Sequence, residues 1–313
     1  MGLVEKAVMA AGETSGGRGG DADKKARMEA EIAALEHGFP PTEPMRCSNV
    51  PEERRVRIDF NALRENGMFS PLRKRTRLGM ELRALKRKLL GRIGYFKAPR
   101  LGASKARQIE TSVLVTSTRP GEGKTFLSLN LALSLAFEDN TPVLLVDADL
   151  NRPKVAAQLG LPPSEGVADL LTDDALRIED CVFRAEGAPL HILQSGLAAG
   201  DPAELFGSEK AQTLLRDLKK RYAECIVVID APPVLAATEA ILIAREVDEI
   251  LFVVQANETR APMLETALEE LAEARERVNF VLNFCAINKS ASHYGSYYEY
   301  AATDHGAGAD SDA

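Results

Sequence analysis

The sequence predicts an α/β protein built on a doubly wound, mostly parallel sheet, and three observations carry that reading. Short aliphatic and β-branched runs, bounded by turn residues, alternate with longer segments spaced for helices. Two of those runs, Pro142 to Asp147 and Cys225 to Asp230, are almost wholly apolar and each ends on an acid. Parallel strands covered on both faces read this way, and ligands bind outside their carboxyl ends. A third run, Val113 to Val115, passes straight into a Pro- and Gly-rich turn and then a long apolar helix.

That third stretch, SVLVTSTRPGEGKTFLSLNLALSLAF from Ser112 to Phe137, organises the chain. Gly121 and Gly123 remove side chains where a backbone must curl closely around a ligand, so that successive N–H groups can face phosphate oxygens. A helix beginning near Lys124 adds its positive dipole end at the same point. Lys124 supplies a mobile ammonium for the β- and γ-phosphates of ATP, and the Thr125 hydroxyl is placed to hold Mg²⁺. Pro120, Gly121, Glu122, Gly123, Lys124, Thr125 and Phe126 therefore form the expected nucleotide-binding loop. Thr118 stands where the strict phosphate-loop pattern has Gly. The expected fold is accordingly a P-loop NTPase with a deviant Walker A loop, like that of the partitioning ATPases.

The segments before the loop differ in kind. Residues 1–70 open with the Gly- and Ser-rich GETSGGRGGDADKK and are expected to be a largely disordered N-terminal arm, with a short transient helix between Lys24 and His37. Residues 71–100 turn basic, with nine Arg and Lys between Arg73 and Arg92 against Glu81 alone. Leu78, Leu82, Leu85 and Leu89 recur at helical spacing, so this is an amphipathic helix with a cationic back. That back suits an ordinary solvated face, an anionic membrane or an acidic neighbouring subunit.

Residues 101–288 make up the expected nucleotide-binding domain. Leu190 to Gln194, Ile250 to Val254 and Val278 to Asn283 complete its strands. Glu209 to Tyr222, Thr238 to Glu246 and Ala261 to Val278 read as the helices between them. Asp147, Asp149 and Asp230, at two strand ends, offer the oxygen ligands that Mg²⁺ prefers. Residues 289–313 form an expected flexible tail that gathers Tyr294, Tyr297, Tyr298 and Tyr300, four of the six tyrosines in the chain. Phenols on an arm without a core suit a phosphoryl acceptor that reaches another subunit's site.

Bulk properties narrow the function. The 313 residues suffice for one large α/β domain with appended segments, and a formal net charge of −7 argues against nucleic-acid binding by the whole molecule. Cys47, Cys181, Cys225 and Cys285 lack metal-ligand spacing and read as reduced thiols. No apolar stretch approaches the roughly 18 to 20 residues that span a bilayer. The expected location is cytoplasmic, at the inner face of the cell membrane through a partner.

Assembled in order, these motifs resemble the bacterial tyrosine kinases of polysaccharide export, the capsular and exopolysaccharide tyrosine autokinases. The likeness is to the stand-alone branch found in exopolysaccharide loci with exosortase systems, and it runs from about Arg77 to Tyr300. TRPGEGKTF resembles the family's Walker A motif, VLLVDADLNRP its second acidic motif, and IVVIDAPP its Walker B motif. The resemblance implies that Asp147 and Asp149 serve the metal and the acceptor hydroxyl, with Asp147 accepting the proton. It further implies that Thr125, Asp147 and Asp230 hold Mg²⁺, that Arg152 reaches the phosphates, that Asn283 approaches the base, and that the tail tyrosines are autophosphorylated. Asn151 falls where the family often has a basic residue, and Ala231 where it usually has a hydroxyl. Met80, Arg83 and Lys86 occupy the frame of the family's oligomerisation helix. The implied activity is ATP- and Mg²⁺-dependent tyrosine autophosphorylation between subunits of a homo-oligomer. Its implied partners are a membrane chain-length determinant (a polysaccharide co-polymerase) and a protein-tyrosine phosphatase. A partitioning-type ATPase switch and a non-catalytic docking module are the competing readings.

Overall fold

The computed structural model describes residues 52–68, 76–97 and 111–285. The expected helix at Lys24 to His37 and the Tyr-rich tail lie outside them. Eight strands form one sheet: β1 (Arg55–Val56), β2 (Thr111–Ser117), β3 (Val143–Asp147), β4 (Val182–Ala185), β5 (Leu190–Leu193), β6 (Ile226–Asp230), β7 (Glu249–Gln255) and β8 (Val278–Asn283). Their order is β1-β4-β5-β3-β6-β2-β7-β8, and every pairing is parallel except β4 with β5. The doubly wound, mostly parallel sheet expected from the sequence is the architecture observed.

Alternation along the central strands builds two cores, one on each face. Leu114, Leu144, Val146, Val227 and Ile229 pack on one side, and Val113, Val115, Val143, Leu145, Ile226 and Val228 on the other. Both faces are covered, which is why these strands read as continuous apolar runs.

Ten helices among the described residues complete the layers: α1 (Phe60–Glu65), α2 (Arg77–Arg92), α3 (Lys124–Glu138), α4 (Val155–Leu159), α5 (Val167–Thr172), α6 (Ile178–Cys181), α7 (Pro202–Gly207), α8 (Glu209–Arg221), α9 (Glu239–Glu246) and α10 (Ala261–Glu270). The helix expected to run from Ala261 to Val278 breaks after Glu270, and a 3₁₀ segment, Ala272–Arg277, delivers the chain to β8. The helix α3 lies under the sheet with Leu129, Leu131, Leu133 and Leu135 fully buried.

Two expectations are corrected. Part of the supposed disordered arm is ordered, because Ile58, Leu63 and Met68 bury themselves in the core around α3, and Asp59 caps α1 by accepting from the N–H groups of Asn61 and Ala62. The Gly/Ser-rich composition that suggested disorder ends well before these residues. The back of the basic helix is likewise not uniformly cationic and exposed. Lys86 in α2 is 3% exposed, its ammonium donating to the Ser134 carbonyl at 3.3 Å and pairing with Asp139 at 2.7 Å. It fastens α2 to α3 and offers nothing to a neighbour.

Candidate active site

The strand β2 ends at Ser117 and the chain turns through Thr118 to Gly123 into α3. Gly121 and Gly123 both adopt left-handed backbone, with φ of 93° and 96°. Gly123 is the N-cap of α3 and no side chain caps the helix, so its first N–H groups are left for a ligand. A side chain at Gly123 would have no room, since a Cβ would stand 2.1 Å from the Asn283 amide nitrogen. Thr118, at the position of the missing Gly, is buried, and its carbonyl accepts from the Leu235 N–H at 3.4 Å. A cleft of about 570 Å³ opens beside the loop, lined in part by Gly121, Lys124, Thr125, Phe126, Asp149 and Arg152.

The parallel register of β3 and β6 sets Asp147 directly opposite Asp230 at the strand ends, with Val115 of β2 on the other side of Asp230. Burial and the adjacent Asp230 charge push the Asp147 carboxyl up to about 7. Its oxygens accept from backbone alone: Asp149 N–H at 3.2 Å, Lys154 N–H at 3.1 Å and Val155 N–H at 3.0 Å. Burial likewise raises Asp230 to about 6, opposed by the Lys124 charge and by hydrogen bonds from Thr125 and Ser128. One Asp230 oxygen accepts from the Ser128 hydroxyl at 3.0 Å, while Oδ2 is buried without a partner. The Lys124 ammonium pairs with Asp149 at 2.6 Å, both side chains nearly buried. Asp149 also accepts from the Arg152 N–H at 3.1 Å.

The structure thus brings together Lys124, Thr125, Asp147, Asp149 and Asp230. Arg152 lines the same cleft at its exposed rim. Glu122 and Asn283 sit differently. The Glu122 carboxylate is 1% exposed and turns inward, accepting from the Arg119 N–H at 2.8 Å and the Thr259 hydroxyl at 2.5 Å. Asn283 donates its amide to the Glu122 carbonyl at 3.0 Å, bracing the loop from β8. Asn151 also lines the cleft, and its amide donates to Glu239 at 3.0 Å. Three contributors were not foreseen: Lys154, which lines the cleft, Ser128, one turn into α3, and Thr259, on the turn after β7. Ser128 was legible as a hydroxyl on the α3 face that carries Lys124, but Thr259 is over a hundred residues from its partner and no spacing rule reaches it.

A family model described as an AAA domain matches residues 111–284, more than half of the chain. The fold and loop therefore define a nucleotide-binding domain of the AAA type. The tyrosine-protein kinase YwqD of Bacillus subtilis (strain 168) is 32% identical over 196 residues, covering 62% of this chain and 80% of YwqD. The tyrosine-protein kinase ptk of Acinetobacter johnsonii is 31% identical over 183 residues, 58% of this chain, which spans about a quarter (24%) of that relative's length. The crystal structure of the VpsO kinase domain is 38% identical, covers 58% of this chain and 87% of its own, and superposes with a TM-score of 0.50. The chain belongs to the bacterial tyrosine-protein kinase family. Relatives named as kinases decide against the partitioning-type switch that the loop alone left open. Among the described residues no helix is long and apolar enough to cross a membrane.

Proposed function

We propose that this chain is an ATP-dependent protein-tyrosine autokinase that transfers the γ-phosphate of ATP to Tyr294, Tyr297, Tyr298 and Tyr300 of a neighbouring copy. The observation that carries the reading is the convergence of an uncapped α3 start, Lys124 and Asp149 on one cleft, with Asp147 and Asp230 buried side by side at the adjoining strand ends. The α3 N–H groups hold the phosphates, and Lys124 exchanges Asp149 for a phosphate oxygen as ATP enters. Arg152 and Lys154 add positive charge along the cleft.

Thr125, Asp230 and Asp147 would hold Mg²⁺. The fit rests on the buried, unpartnered Asp230 Oδ2 and on the nearby Thr125 hydroxyl, which favours the ionised form of the same carboxylate. Among the described residues no three acidic, His or Cys side chains form a metal cage, so the remaining ligands would be phosphate and water oxygens. The ion supplies positive charge to the phosphate oxygens.

A free phenol has a pKa near 10, so its oxygen needs a proton acceptor to attack at neutral pH. Asp147, at the strand end beside Asp230, is the residue assigned to take that proton, and its three backbone hydrogen bonds fix its orientation. The phenolic oxygen forms the new bond to phosphorus, the bond from the γ-phosphorus to the bridging oxygen breaks, and ADP leaves. Positioning and charge neutralisation supply most of the rate. The wider setting is control of exopolysaccharide synthesis and export, with a membrane chain-length determinant as activator and a phosphatase to reset the tail. The test is incubation of the purified chain with labelled ATP and Mg²⁺, followed by phosphotyrosine detection and peptide mapping. Label on the tail tyrosines is expected, and hydrolysis of ATP without protein label would overturn the reading.

A further inference from the structure

Glu122 is an odd residue to find in a loop built for phosphate. Its carboxylate sits at 1% exposure within the turn from Thr118 to Gly123, where a negative charge works against an anionic ligand. It is not among the residues lining the cleft, although Pro120, Gly121, Gly123 and Lys124 on either side of it are. The proposed reaction gives it no task. What it has instead is a full set of hydrogen bonds. One oxygen accepts from the Arg119 N–H at 2.8 Å and the other from the Thr259 hydroxyl at 2.5 Å, while its main-chain carbonyl accepts from the Asn283 amide at 3.0 Å.

Thr259 is itself held in one orientation. The turn after β7 closes on the Gln255 carbonyl, which accepts from the N–H groups of Glu258 and Thr259 at 3.3 and 3.1 Å, with Asn257 in left-handed backbone at φ 64°. The Gln255 N–H donates back to the Thr259 hydroxyl oxygen at 3.0 Å, and that bond leaves the hydroxyl proton to point at Glu122. The Arg119 guanidinium donates to the Glu258 carbonyl at 3.3 Å, a second tie between the same turn and the same loop. The Ala256 N–H reaches the Asn283 carbonyl at 2.9 Å, so the turn, the end of β8 and the phosphate loop form one hydrogen-bonded unit.

We propose that Thr259 is a positioning residue for the nucleotide, acting through Glu122 to hold the phosphate loop in its ligand-ready shape. Gly121 and Gly123, on either side of Glu122, have left-handed backbone, a conformation that glycine leaves as readily as it adopts. Without an anchor the loop would have to be ordered when nucleotide arrives, and affinity would fall by that entropy. The grip on Glu122 does the ordering beforehand, with its side chain held from the turn after β7 and its main chain from β8. A carboxylate suits the task, because it has two acceptor oxygens and its charge strengthens the bond from a hydroxyl. Its repulsion of phosphate is blunted by the Arg119 guanidinium, whose Nε lies 3.9 Å from it. The role rests on the nucleotide-binding reading of the site, not on transfer to tyrosine. Because Thr259 acts on the loop and not on the reacting atoms, it governs affinity for ATP and ADP alike and leaves the rate at saturation alone.

The test is titration of the full chain with a fluorescent ADP analogue and Mg²⁺, together with the ATP dependence of labelling. Thr259→Val keeps the side-chain shape and removes the donor. The analogue should bind it about tenfold more weakly, the loss expected of one hydrogen bond to a charged group, and the ATP concentration for half-maximal labelling should rise alike while the rate at saturation stays within about twofold. Thr259→Ser, which returns the hydroxyl, should restore the affinity. In a Glu122→Ala background Thr259→Val should have no further effect, because its partner is gone. Unchanged affinity in Thr259→Val overturns the proposal, as does an equal loss in Thr259→Ser, the same loss in the Glu122→Ala background, or a fall in saturated rate with affinity retained. No binding of the analogue by the wild type would overturn both the proposal and the nucleotide site. Binding by the wild type without protein label would count against the kinase reading alone, and the affinities of the Thr259 variants would still decide this one.

Discussion

Replacing Lys124 by Met tests both the site and the energetics of its buried ion pair. Lys124 and Asp149 meet at 2.6 Å with side chains 10% and 6% exposed, so removing the ammonium strands a carboxylate away from water. Breaking one side of a buried pair costs about 3 to 5 kcal/mol. The Arg152 N–H remains bonded to Asp149 and offsets part of that loss, which places the expected cost near the lower end, about 3 kcal/mol. For a chain of this size each kcal/mol moves the melting temperature by about 2 to 4 °C, so the nucleotide-free variant should melt roughly 6 to 12 °C lower. Adding Asp149→Asn should restore most of that fall by removing the stranded charge, while phosphotyrosine formation stays absent in both variants. Scanning calorimetry and a phosphotyrosine immunoblot read the two effects separately. An unchanged melting temperature in Lys124→Met would refute the buried-pair reasoning, and comparable labelling would refute the assignment of Lys124 to phosphate.

Other expectations follow from the same geometry. Gly123→Ala places a Cβ against the Asn283 amide at φ 96°, so nucleotide binding measured by calorimetric titration should be lost while far-ultraviolet circular dichroism is retained. Lys86→Glu should destabilise each copy, since it puts a second acid beside Asp139, whereas Arg83→Glu alone is the fair probe of docking by α2. An oligomer mass unchanged by Arg83→Glu would leave docking by that face unsupported. Asp147 has its folded pKa raised to about 7 from an ordinary value near 4, so its contribution is present below about pH 4 and lost as pH rises through about 7. Relative to Asp147→Asn, nucleotide-free wild type should therefore lose stability between pH 4 and 7, by an amount on the order of 4 kcal/mol; a urea midpoint difference flat across that range contradicts the shift.

The central strands and the loop were legible because their causes are local. Strands β2, β3 and β6 are covered on both faces, so burial writes a continuous apolar run, and left-handed backbone at a helix start demands Gly121 and Gly123. The acids Asp147 and Asp230 were legible because a parallel sheet sets strand ends side by side. What escaped was set by contacts distant in sequence. Two residues of β1 carry no pattern of their own and are ordered only because Arg55 and Val56 meet β4. Lys86 reads as one more surface cation until α3 presents the Ser134 carbonyl and Asp139 to it. Glu122 was expected as a member of the nucleotide-binding loop, but that its carboxylate accepts from the Thr259 hydroxyl and the Arg119 N–H could not be read from the motif.

The measurement that bears most directly on the proposed reaction mixes two disabled chains with labelled ATP and Mg²⁺. One carries Lys124→Met with Asp149→Asn, stable but unable to transfer phosphate; the other is wild type ending at Lys289, able to transfer but lacking the tail tyrosines. Label on tail tyrosines of the first chain, appearing only when both are present, is the predicted result. No label on that chain, under conditions in which the intact wild type labels itself, would contradict transfer between copies.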